Sequence, residues 1–382
     1  MNVPALERCV GDAGAFLRDH WGRAPLVHRG EGTAFEDLVT LDDLDRLVSS
    51  HGLTAASLRM VRDGNTLAPS TYTVSPGTRS RGMDALISPA LVYERFSAGA
   101  TIVLESLHRY WEPLTDLCRD LEMTIGHRLQ VNAYVTPPAS QGFDIHRDDH
   151  DVFVLQISGS KHWSVLAPDV EDKVLIDEEI GPGTTLYIPT GCPHSAETGA
   201  SASSHLTVGV LSNRASDVLR AVVELAAEEP TFSERLPAAA PNASSLEDIV
   251  TRYVDEFRSW LDKVDPTDIT ERVARRVVPS AQPIMRGQLR QLELVDSIGG
   301  DTRVRRRRGA TCFLLRKEPV LKVLLADREL EMPSFVEPAM REIATRDHLA
   351  VQELHSFLDE EGALVLVRRL IREGLLEVVV GT

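Results

Sequence analysis

Two short segments hold the residues best suited to chemistry. The first is Gly142-Phe143-Asp144-Ile145-His146-Arg147-Asp148, and the second, about 48 positions later, is Pro189-Thr190-Gly191-Cys192-Pro193-His194. Residues two apart on an extended segment point to the same side, so His146 and Asp148 reach one metal ion. His194 supplies a third ligand from a strand across a small barrel. Two imidazoles and one carboxylate on one side of an octahedron leave three positions open, the facial triad of non-haem Fe(II) oxygenases. A lone His-x-Asp is a weak signal. His150 shares the parity of Asp148 and offers a shifted, poorer ligand set, and His162 and His205 are rivals to His194.

The elements around these residues strengthen the reading. Asp151 to Gln156 is an apolar run of strand type, and Gly159 to Val165 reads as a turn into another strand. Gly181 to Pro189 reads as turn, strand, turn, delivering the later histidine, and His205 to Val210 alternates as a further strand. Short strands at close spacing, punctuated by Gly and Pro, specify a sandwich or barrel.

On these residues the chain resembles the JmjC (cupin-type) 2-oxoglutarate oxygenases, specifically the ribosomal oxygenase branch. The resemblance also rests on Phe16-Leu17-Arg18-Asp19-His20-Trp21-Gly22-Arg23-Ala24-Pro25-Leu26, on Gly99 to Leu104, on Val131 to Pro138 and on Lys161-His162-Trp163. It is dense from about Phe16 to Val210 and weaker beyond. It implies His146, Asp148 and His194 as ligands of Fe(II), and Lys161 as the cation for the far carboxylate of 2-oxoglutarate, a point-charge role that suits an ammonium. It implies Asn132 as a hydrogen-bonding partner of the co-substrate, with Tyr134 lining the same pocket and Thr207 a weaker contact. Two departures stand out. Cys192 stands where relatives commonly carry a bulky aromatic, and reads as a buried small hydrophobe. Gly209 stands where relatives can carry a hydroxyl residue.

With 382 residues the chain exceeds one compact core. The expected fold class is α+β: a double-stranded β-helix (jelly roll) core, a helical dimerisation module and a C-terminal winged-helix domain. The expected bounds are 1–215 for the catalytic domain with its helical lead-in, 216–282 for the helical module and 283–382 for the winged helix. Leu6 to His20 reads as a helix, and Thr40 or Asp42 caps the next one. Apolar stripes that include Leu219, Val222, Val223, Ile249, Tyr253, Phe257 and Leu261 need a partner surface, and the resemblance implies a homodimer there.

The net charge of −16 argues against unspecific nucleic-acid binding by the whole surface. The run Arg305 to Arg308 makes a local basic patch, whose ordinary reading is a solvated face, so nucleic-acid contact is not favoured. No apolar run reaches about 18 residues, so no membrane span is expected. The acidic start without a basic-then-apolar pattern does not read as a secretory signal. Cys9, Cys118, Cys192 and Cys312 have no paired spacing and read as free thiols of a reducing, cytoplasmic compartment. The expected function is Fe(II)- and 2-oxoglutarate-dependent hydroxylation of a protein or peptide side chain, with ribosomal-protein Arg or His favoured by the resemblance. Two alternatives stand beside it: a biosynthetic hydroxylase of a precursor peptide or amino acid, and a non-catalytic winged-helix regulator that senses 2-oxoglutarate or iron.

Overall fold

The computed structural model describes residues 4–74, 85–140, 144–236, 243–277 and 284–379. Gly142 and Phe143 of the first segment lie outside the described residues. The chain forms two compact units, 1–212 and 213–382.

The first unit opens with helices α1 (Ala5–Val10) and α2 (Ala13–Asp19). They split the single helix expected there, because Gly11 takes φ +78° and Asp12 starts a new helix by accepting the Ala15 N–H. Helix α3 (Leu41–Ser50) starts at Thr40, whose hydroxyl and backbone exchange hydrogen bonds with Asp43 as a capping box. Helices α4 (Pro89–Ser97) and α5 (Glu112–Ile125) follow.

The strands of this unit are β1 (Leu26–Arg29), β2 (Leu58–Arg62), β3 (Asn65–Thr66), β4 (Thr73–Val74), β5 (Leu86–Ile87), β6 (Thr101–Leu104) and β7 (Arg128–Thr136). After them come β8 (Asp151–Ser158), β9 (Lys161–Leu166), β10 (Val174–Ile180), β11 (Thr184–Ile188), β12 (His194–Thr198) and β13 (Ser203–Leu211). An eight-stranded sheet runs in the order β1-β11-β8-β13-β7-β6-β2-β3, and a three-stranded sheet in the order β10-β9-β12. The chain crosses from one to the other at Gly159, where φ is +60° and a Cβ would lie 2.1 Å from the Ala202 carbonyl oxygen, so only glycine fits. Val152, Val154, Trp163, Val165, Leu186 and Ile188 form an apolar cluster from both sheets. This is a mixed α/β cupin fold.

The second unit begins with α6 (Ala215–Ala226), α7 (Pro230–Ser233), α8 (Ala243–Leu261) and α9 (Pro266–Val277). It continues with α10 (Gln288–Leu294), β14 (Arg303–Arg306), β15 (Phe313–Lys317), β16 (Val320–Leu324), β17 (Glu329–Pro333), α11 (Glu337–Thr345), β18 (His348–Ala350), α12 (Glu360–Arg372) and β19 (Leu376–Val378). Between β18 and α12 lies a 3-10 helix, Val351–Ser356. Three arginines of the run are bonded within their own unit, although Arg305 and Arg308 stay exposed. Arg305 pairs with Glu377 at 2.6 Å, Arg306 donates to the Ala344 carbonyl at 2.6 Å, and the buried Arg307 donates to the Gly374 carbonyl at 3.0 Å and to Gln288 at 2.7 Å.

Candidate metal centre

His146 and Asp148 sit on an extended segment just before β8 rather than on a regular strand. The segment is tied to β12 by one antiparallel bridge, in which His146 N–H donates to the His194 carbonyl at 3.1 Å and His194 N–H returns a bond to the His146 carbonyl at 2.9 Å. The backbone thus sets the two imidazoles side by side, with ring centroids 4.4 Å apart. Asp148 faces both, its carboxylate oxygens 4.0 Å from His146 Nε2 and 3.6 Å from His194 Nε2. All three offer ligand atoms within 4.8 Å of one another.

The two rings are also oriented for metal. His146 Nδ1 bonds the Asp144 carbonyl at 2.8 Å and His194 Nδ1 the Cys192 carbonyl at 3.0 Å. A carbonyl only accepts, so Nδ1 carries the proton in each and Nε2 keeps its lone pair for the centre. Burial and the neighbouring His146 hold His194 below the usual histidine range, which favours the neutral, ligating form. The donor set fits a divalent ion that accepts imidazole and carboxylate.

The rivals are not among the three clustered ligands, although His205 lines the same cavity. His162 is exposed and pairs with Asp177 at 3.0 Å. His205 is buried, stacked flat on Tyr134 with centroids 4.9 Å apart. The Cys192 thiol is buried in the apolar cluster between the sheets, and burial raises its pKa. Its carbonyl, not its sulfur, serves the site.

The triad lines one cavity of about 310 Å3, together with Asn132, Tyr134, Lys161 and Thr207. Lys161 is 4% exposed. Its ammonium donates to the Thr136 hydroxyl at 2.9 Å, and burial pushes its pKa down to about 7, with no carboxylate among the described residues acting on it. Asn132 accepts the Ser106 N–H at 2.9 Å and hydrogen-bonds Tyr134, so these two side chains are held in place. Thr207 lies directly across from Asn132 in the register of β13 and β7.

Sequence reasoning missed Gln130 and Thr136, which line the cavity from the same face of β7 as Asn132 and Tyr134. Their shared parity was the available signal. His150, weighed only as a shifted ligand, instead lines the cavity against Gly209. A Cβ at Gly209 would lie 2.8 Å from His150 Nε2, so the glycine makes the slot the ring occupies. Gly209→Ala is therefore expected to fold normally while turning the His150 ring out of the cavity. A histidine-ring NMR spectrum in which the His150 signals stay fixed would contradict this.

Fold and donor set together resemble those of JmjC-type cupins, and comparison with known proteins finds the same likeness. Residues 109–218 match the family described as JmjC domain. Over these residues the chain is similar to JmjC domains, and beyond them it is similar to ribosomal oxygenases. It is 27% identical over 281 residues to ribosomal oxygenase 1 of Gallus gallus, covering 65% of this chain and 45% of that protein. It is 29% identical over 214 residues to the bifunctional lysine-specific demethylase and histidyl-hydroxylase NO66 of Drosophila persimilis, covering 50% of this chain and 29% of that one. The chain thus spans less than half the length of these two curated relatives. Its fold is similar to that of the Escherichia coli ribosomal oxygenase YcfD, with a TM-score of 0.59 at 19% identity over 96% of this chain and 98% of that one. A second YcfD structure, in complex with cobalt and 2-oxoglutarate, gives 0.57 at 18% identity over 96% and 97%.

Proposed function

We propose that this chain is an Fe(II)- and 2-oxoglutarate-dependent oxygenase that hydroxylates a protein or peptide side chain. The observation that carries the reading is Lys161. A buried ammonium without a counter-ion is costly, and this one shares its cavity with a three-ligand metal site. A dianion that reaches from metal to ammonium satisfies both, and 2-oxoglutarate has a keto-acid end for the metal and a carboxylate for the lysine.

In this assignment His146, Asp148 and His194 hold iron, which supplies oxygen activation coupled to decarboxylation of the co-substrate. Lys161, with the Thr136 hydroxyl beside it, binds the far carboxylate. Asn132, Tyr134 and Thr207 orient the carbon chain between them. The burial of Lys161, Thr136 and His205 keeps water from that end. The names of the relatives, ribosomal oxygenase and histidyl-hydroxylase, favour a ribosomal-protein side chain, with His named among them and Arg kept from the sequence resemblance. The test is mass spectrometry of ribosomal proteins incubated with the chain, Fe(II) and 2-oxoglutarate. A gain of one oxygen on one residue, with succinate formed in step, supports the reading. Absence of succinate with every protein and peptide tried would favour a sensor instead.

The C-terminal part is assigned as a winged helix, supported by the order α11, β18, 3-10 helix, α12, β19, by the sheet β18-β14-β19 and by a separate apolar core. The division into 1–215, 216–282 and 283–382 goes with this assignment. The internal bonding of Arg305 to Arg307 supports a protein rather than a nucleic-acid partner. No helix among the described residues is long and apolar enough to cross a membrane. A cytoplasmic place of work is supported by the free cysteines and the ribosomal relatives.

A homodimer through the helices is supported by an exposed apolar face that keeps Leu219, Val223 and Leu261 of the expected stripe but not Phe257. Phe257 packs on Phe232 and Trp260, with centroids 6.1 and 5.6 Å away. The neighbouring stripe of α8, Leu246, Val250 and Val254, is exposed, as are Leu219 and Val223 of α6. Val250→Asp is therefore expected to give monomers by light scattering, whereas Phe257→Asp is expected to lower the unfolding temperature. An unmodified protein that is monomeric at micromolar concentration would contradict the dimer.

A further inference from the structure

Asp151 opens β8, three residues after Asp148, and its side chain is buried. Its Oδ1 accepts the Thr190 backbone N–H at 2.8 Å and the Thr190 hydroxyl at 2.6 Å. Its Oδ2 accepts the Tyr187 hydroxyl at 2.5 Å, and that hydroxyl in turn accepts the Gly22 N–H at 2.8 Å. A second strap lies beside the first: Gly191 N–H donates to the Asp148 carbonyl at 3.0 Å. Thr190 and Gly191 begin the turn that ends at His194. The turn that delivers His194 is therefore tied, at two consecutive residues, to the segment that delivers His146 and Asp148.

From this geometry we infer that Asp151 is a positioning residue of the metal centre, fixing His194 against His146 and Asp148 through Thr190. The inference rests on the metal-site reading above. Asp151 is not itself a ligand, since both its oxygens are already taken by protein donors. A buried carboxylate is an expensive way to hold a turn, but charge-assisted hydrogen bonds are shorter and stronger than neutral ones, and a metal site needs its ligands held closely. The far end of the network is also anchored. Phe16 meets the Tyr187 ring edge-on at 4.8 Å and Trp21 stacks on it at 6.2 Å. This gives the Phe16 to Gly22 segment a role: it holds Tyr187, which holds Asp151.

The test is Co(II) binding, read from the visible absorption of the ion, for Asp151→Asn, Thr190→Val and Thr190→Ser. Thr190 is exposed, so its variants fold. Thr190→Val removes the hydroxyl at nearly constant shape, and Thr190→Ser keeps it. The expected result is a Co(II) affinity lower by about ten- to a hundredfold in Asp151→Asn and Thr190→Val, the range for partners one shell out from a metal. The absorption bands should be altered and recovered in Thr190→Ser, with the unfolding temperature of both Thr190 variants near that of the unmodified protein. Equal affinity and an identical spectrum in Asp151→Asn and Thr190→Val would overturn the inference alone. Unmodified protein that binds no Co(II), or binding that survives His146→Ala, would overturn the metal-site reading and the inference with it.

Discussion

Alanine at His146, Asp148 or His194 is expected to remove 2-oxoglutarate turnover and leave the fold standing. The loss should exceed about a hundredfold, because changes one shell further from a metal already cost up to that much. The fold should survive because the bridge between the two ligand segments is made by backbone groups of His146 and His194, which alanine keeps. Succinate release and a thermal unfolding curve, measured on the same preparations, check both halves. Turnover by His146→Ala comparable to that of the unmodified chain would remove the triad from the account.

Lys161→Ala is expected to raise the 2-oxoglutarate concentration for half-maximal turnover by about ten- to more than a hundredfold, the worth of a hydrogen bond to a charged group, roughly 1.5–3 kcal/mol. A pH dependence follows from the same residue. Burial pushes Lys161 down to about 7, and a bound carboxylate favours the charged form and raises that value. Above pH 7, binding must therefore take up a proton. Affinity is full below about pH 7 and falls by up to roughly tenfold per unit above it. The stability of the protein alone runs the other way. Between about 7 and 10 the unfolded lysine is charged and the folded one is not, so the unfolded state holds more protons and stability rises with pH. A 2-oxoglutarate affinity flat from pH 6 to 9, or unchanged in Lys161→Ala, would place the carboxylate elsewhere.

The site was legible where its chemistry is local. His146 and Asp148 are close in the chain and of diagnostic type, and Lys161 and His194 came from the family resemblance at matching positions. The resemblance gave Asn132, strand alternation put Tyr134 on the same face, and that alternation pointed to Gln130 and Thr136 unread. What remained hidden depends on contacts between distant segments. Nothing in the sequence near Gly209 shows that its missing side chain makes room for His150. Asp151 reads as the first residue of a strand until Thr190 is seen beside it. In α8 the periodicity showed an apolar face, but not that the Phe257 side of it is covered from within while the Val250 side is open. The Arg305 to Arg307 run looked like a surface patch and is spent on the unit that carries it.

The most direct test of the central claim is the anaerobic addition of 2-oxoglutarate to the Fe(II)-loaded protein, followed by visible absorption. Chelation of the keto acid to the metal gives a charge-transfer band. The account predicts a band that saturates with 2-oxoglutarate, that needs about ten- to more than a hundredfold more of it in Lys161→Ala, and that is lost in His146→Ala. Absence of the band in the unmodified protein, or the same band in His146→Ala, would contradict it.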